Sequence, residues 1–182
     1  MIDFVNRIDE YTEDFINDHY DLYTKKLFGF TELVTKKDQP FPVVINGTSD
    51  RSQVQVSLDD RFDIITWVRL PGTIAVEEDE EDQWGIRQHR KQAIGLRWII
   101  AHKVELGEDL ILKLIESVPA IFNNMAGYQF VVSEVSSVDA DHEAIYATEL
   151  GATVYEKHRF NWNLYAIELN VEFIVCISNT SP

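Results

Sequence analysis

The sequence predicts an α+β fold, with a mainly antiparallel sheet and a long N-terminal helix and one central helix packed on one side of it. Three observations predict it. From Tyr165 the chain alternates, with Tyr165, Ile167, Leu169, Val171, Phe173, Val175 and Ile177 at one parity and Ala166, Glu168, Asn170 and Glu172 at the other. A period of two over that length marks a long, half-buried strand. Residues 2–28 instead place Phe4, Ile8, Tyr11, Phe15, Leu22 and Tyr23 at helical spacings, with acidic and amide residues between them. A second helical stripe, Leu110, Leu114, Ile115, Val118 and Ile121, is flanked on both sides by runs rich in β-formers.

The elements follow in order. The first helix runs to Phe28, and Gly29 is a natural C-terminal stop. Thr31 to Thr35 reads as a strand, Lys36 to Pro40 as a turn, and Phe41 to Ile45 as a second apolar run ended by Asn46-Gly47. Gln53 to Leu58 alternates Val54, Val56 and Leu58 with polar residues until Asp59-Asp60-Arg61 breaks it. Phe62 to Val76 reads as a strand, a Pro71-Gly72 turn and a second short strand. Six consecutive acids follow, Glu77-Glu78-Asp79-Glu80-Glu81-Asp82. Desolvating six like charges is prohibitive, so this run is expected as a solvated loop or as a contact for something basic. Ile94 to Lys103 is a strand, Gly107 to Phe122 the central helix with Pro119 near its end, and Tyr128 to Val135 another strand. Two readings of residues 136–160 stay open: a short helix capped by Asp139 or Asp141 and ending at Gly151, or an extended segment from Ile145 to Val154. The alternating strand then closes the sheet and leaves its own edge open to another chain.

At 182 residues the chain reads as one domain, 1–182, in which the helix of 1–29 doubles as an interaction arm. No apolar run approaches the length of a membrane helix, and Met1-Ile2-Asp3-Phe4 does not open a signal peptide. The single cysteine, Cys176, allows no internal disulfide and reads as a small apolar strand residue. The net charge of −15 argues against a protein that grips nucleic-acid phosphates. An acidic surface suits a passage through which DNA slides without sticking, or a decoy that occupies a basic partner.

Chemistry finds little footing. The five histidines form no H-x-x-x-H pair, and the eight glycines no phosphate-binding loop. Asp139, Asp141, His142 and Glu143 form one cluster able in principle to hold a hard cation, but acids there equally suit a helix start. The expectation is therefore no enzyme, no catalytic residue, no metal and no cofactor. Trp84, beside the acidic run, is a candidate contact residue.

The acidic run is followed directly by Arg87, His89, Arg90 and Lys91. In a head-to-tail ring each copy must present two unlike complementary surfaces. Glu77, Glu78, Asp79, Glu80, Glu81, Asp82, Trp84, Arg87, Arg90 and Lys91 are thus the candidate subunit interface, and Glu168 and Glu172 are candidate channel-facing charges. The competing reading folds the acidic segment onto its own basic strand.

The order of elements, and the segment Arg159-Phe160-Asn161-Trp162-Asn163-Leu164-Tyr165-Ala166-Ile167-Glu168-Leu169-Asn170-Val171-Glu172-Phe173, resembles small neck and tail-terminator proteins of tailed bacteriophages. The acidic run is more charged than a minimal member of that group would need. The resemblance implies a structural virion protein, assembled in the host cytoplasm as a homo-oligomeric ring. Its partners would be copies of itself, the portal or connector and the tail tube, with DNA passing unbound and no membrane involved. The alternative is a monomeric acidic inhibitor or immunity-type protein that binds a basic partner.

Overall fold

The computed structural model describes residues 10, 12–18, 25–45, 54–69, 75–81, 87–106, 109, 111–116 and 130–176; for 75–81, 87–94, 130–138 and 172–176 it describes the backbone alone. Seven strands form one sheet: β1 (Lys25–Lys36), β2 (Gln39–Val44), β3 (Ile64–Arg69), β4 (Ala75–Glu81), β5 (Arg87–Lys103), β6 (Phe130–Asp139) and β7 (Trp162–Cys176). Helical residues 12–18 (α1) and 111–116 (α2), with α3 (His142–Glu149) and α4 (Ala152–His158), complete the described elements. None of the described helices is long and apolar enough to cross a membrane.

The strand order is β2-β1-β3-β5-β7-β6, with β4 continuing the β3 side of β5. Here the fold departs from the expected class. The sheet is mixed, because β1 runs parallel to β3 while the remaining pairs are antiparallel. The expected helix over residues 2–28 is also overturned, since residues 12–18 are helical but the chain is already a strand at Lys25. Gly29 is not a helix stop, although it does take a positive φ, 67°. It spends that freedom inside β1, where the register with β3 slips between Leu27 and Phe30.

Helices cover both faces of the sheet rather than one. On one face Ile64, Val68, Leu96, Trp98, Ile100, Ile167 and Leu169 pack with Phe15 and Ile16 of α1 and Ile111 and Leu114 of α2. On the other, Ile65, Trp67, Ile99, Ala101, Trp162, Leu164 and Ala166 pack with Ile145, Tyr146 and Leu150 of the α3 region and with Val56 and Leu58. Residues 64–68 of β3 are accordingly buried at both parities. Each large apolar side chain fully withdrawn from water is worth about 1.5–3 kcal/mol, so a second covered face roughly doubles the driving force a one-sided sheet would have. Burial of Phe15 and Ile16 spends this part of the expected N-terminal arm on the chain's own core.

The closing strand is not at an edge. β7 pairs with β5 from Trp162 to Cys176 and with β6 from Ala166 to Phe173, which makes it an interior strand. The expectation of an open edge there is corrected: β2, β4 and β6 are the strands flanked on one side only among the named elements. Between β6 and β7 the chain is helical. Asp141 caps α3 by accepting from the Ala144 N–H at 3.1 Å, and residues from 152, open to an extended reading, form α4. Gly151 joins the two helices at φ 88° and ψ 151°, a region that only glycine enters without strain.

Candidate functional site

Five of the described charged side chains converge at one place. Arg69 stands opposite Arg97, and Arg97 opposite Glu168, so the three form a row across β3, β5 and β7. Their parity puts them on the face that α3 covers. Glu149, the last residue of α3, reaches into this row and is fully buried. Its Oε1 accepts from Arg69 Nη1 at 2.8 Å. Arg97 Nε lies 3.1 Å from the same oxygen, an ion pair without hydrogen-bond alignment. Arg97 also pairs with Glu168, Nη1 to Oε1 at 3.1 Å, and more loosely with Asp139, Nη2 to Oδ2 at 3.9 Å. Glu149 Oε2 is buried with no hydrogen-bond partner among the described residues.

Burial pushes the Glu149 carboxyl above its ordinary value; Arg69 and Arg97 pull it down, and Glu168 pushes it up further. Desolvation of a carboxylate outweighs two neighbouring guanidinium groups here. Two arginines thus face three carboxylates, one of them dry. Such a cluster is able to hold a proton and to fix α3 on the sheet. Arg97 is its hub, since it touches elements from α3, β6 and β7.

The expected channel charges fall into this picture differently. Glu168 belongs to the cluster through Arg97. The Glu172 backbone lies opposite Ala93 of β5 and Val131 of β6. Glu77, Glu78, Asp79, Glu80 and Glu81 lie on β4, which corrects the expectation of a loop. An edge strand resolves the desolvation problem that suggested a loop, because it pairs its backbone without enclosing its side chains on all sides. In register, Asp79 stands opposite Arg90, Glu80 opposite His89 and Glu81 opposite Arg87, while Lys91 pairs across to Ile174 of β7. The acidic segment therefore runs beside the basic segment of its own chain, as the competing reading had it. Asp82 and Trp84 lie outside the described residues.

The acidic cluster weighed as a cation site serves α3. Asp139 Oδ1 accepts from the Asp141 N–H at 2.9 Å, and Asp141 is the N-cap. His142 Nδ1 sits 2.7 Å from the Leu164 carbonyl; a carbonyl only accepts, so Nδ1 carries the proton. Among the described residues no group of three or more His, Cys, Asp or Glu is placed to hold a metal ion.

Sequence reasoning missed Arg69, Arg97 and Glu149, which lie far apart in the chain. One signal was available. An acid at the last position of a helix opposes the macrodipole, so Glu149 needs a compensating partner from elsewhere. No family model and no curated protein matches the chain.

Proposed function

We propose that this chain is a structural subunit of a tailed-phage particle, one copy of a homo-oligomeric ring at the neck or tail end, with no catalytic role. The observation that carries the reading is the placement of Glu77–Glu81 on β4, a strand flanked on one side only among the named elements. Five successive acids along a flanking strand bring negative charge to that border of the sheet, beside the shorter basic segment of β5, in a chain of net charge −15. Around a passage, copies of that border repel phosphates and let DNA slide without sticking.

Two features suit contacts between copies. Phe160, in the turn before β7, is 76% exposed, with the Arg159 guanidinium 4.7 Å from its ring centre. An exposed aromatic backed by an arginine is the kind of anchor that interfaces use. At the far end of the sheet, β5 continues past β3 from Arg87 to Leu96 with β4 beside it, so the two ends of each copy differ, as head-to-tail closure needs.

The test is the solution mass at low and high salt, alone and with portal protein. Closed oligomers of fixed copy number, weakened by Phe160→Ala, are expected. A protein that stays monomeric under all these conditions overturns the reading. One-to-one capture of a cationic protein, lost when Glu77–Glu81 become glutamines, would favour the inhibitor alternative.

A further inference from the structure

The flank formed by β1 and β2 presents a hazard. Leu33, Val34, Ile45 and Val54 are all exposed there, and an apolar strand at a sheet edge is a template for pairing with another chain. The backbone of β2 answers it. In a strand, the N–H and C=O of one residue point to the same side, and successive residues alternate. Val56 N–H donates to the Pro42 carbonyl at 2.9 Å, and Val44 N–H donates to the Val54 carbonyl at 2.9 Å. Residues 40, 42 and 44 therefore face outward, away from β1. The inward positions 39, 41 and 43 stand opposite Lys36, Val34 and Glu32.

Each outward position lacks a donor to offer. Pro40 and Pro42 have no N–H, and the N–H of Val44 is engaged by Val54. An arriving strand would find no donor along the outer edge of β2, and beside 42–44 it would find Val54–Val56 already in its lane. The Pro40 carbonyl is itself crowded, lying 3.5 Å from where a Cβ on Gly151 would stand. We infer that the outer edge of β2 is closed to strand addition by Pro40 and the bridged segment Val54–Val56 together, so that a second copy of this chain meets the β2 edge through side chains only. The other one-sided strands carry different safeguards. β4 bears the acids and two register slips, and β6 two register slips. The inference holds for a ring subunit and for a monomer alike.

The test restores the donor at the outward position that Val54–Val56 do not line, with Pro40→Val. One outward N–H group would then be open to another strand, whereas an N–H at position 42 would face the carbonyl of Val56. Sedimentation should show self-association about tenfold tighter than in the parent protein, with new amide protection confined to residues 39–44. A variant with an unchanged far-ultraviolet spectrum and the parent's mass distribution overturns the inference. A second measurement needs no variant: the Val44 amide of the parent should exchange slowly, and exchange at the rate of a free peptide would equally overturn it.

Discussion

Arg97→Met removes the hub of the charged cluster while keeping most of the side chain's length. The cost follows from three contacts. The guanidinium loses Glu149 and Glu168 at 3.1 Å and Asp139 at 3.9 Å. An exposed ion pair is worth about 0–1 kcal/mol, whereas stripping one partner from a buried pair costs about 3–5 kcal/mol. Glu149 is fully buried and the Arg97 side chain is 18% exposed, which sets the change near the buried limit. Arg69 stays 2.8 Å from Glu149 and reduces the loss, so about 2–3 kcal/mol is expected. With a urea m-value of about 2 kcal/mol/M, the midpoint falls by about 1–1.5 M. Trp67, Trp98 and Trp162 are buried and report the transition by fluorescence. Adding Glu149→Gln removes the stranded charge, so the double variant should recover about 1 kcal/mol or more relative to the sum of the singles. A loss below about 0.5 kcal/mol, or strict additivity, would refute the view of Arg97 as the counter-charge of a dry carboxylate.

Glu149→Gln alone tests the sign of the pH dependence. Because the folded carboxyl titrates above its ordinary value, its stabilising contribution is fully present below the ordinary carboxylate range and is lost as pH rises through the folded value. The glutamine variant should therefore gain on the parent in urea midpoint as pH rises out of the ordinary carboxylate range; a flat or falling difference would contradict the buried-carboxyl assignment. Gly151→Ala should lower stability by about 1–3 kcal/mol, because the residue holds φ 88° and the new Cβ would meet Gln39 Oε1 at 2.6 Å; thermal melting measures it. Asp141→Ala should cost about 1 kcal/mol by loss of the α3 cap, with Asp141→Asn close to neutral, by the same melt.

The elements that could be read from the sequence were those whose pattern is local. The alternation after Tyr165 gave a strand, and Leu114 marked a buried helical stripe. Gly29 shows where that legibility ended. Its need for positive φ was readable, but a helix stop and a strand bulge both use it, and only pairing with β3 decides between them. The partner of Glu168 on β7 was hidden for a related reason. Glu168 looks like a surface charge until Arg97 is brought opposite it by register. The candidate site is the least legible part, since Arg69, Arg97, Asp139, Glu149 and Glu168 come from five elements and meet only in the folded sheet. The acidic run was expected as a loop, but the backbone can extend such a run along an edge as readily as loop it.

The interior position of β7 sets a timetable for synthesis. β5 and β6 are both made before it, yet they are not neighbours: each borders the slot that β7 fills. A nascent chain that has emerged only as far as α4 holds two long strands with raw flanks facing an empty lane. The central layer can assemble only once Trp162–Cys176 has left the ribosome and slid between them, which makes closure a late, long-range event. During that interval the emerging chain is more exposed to mispairing than the finished one.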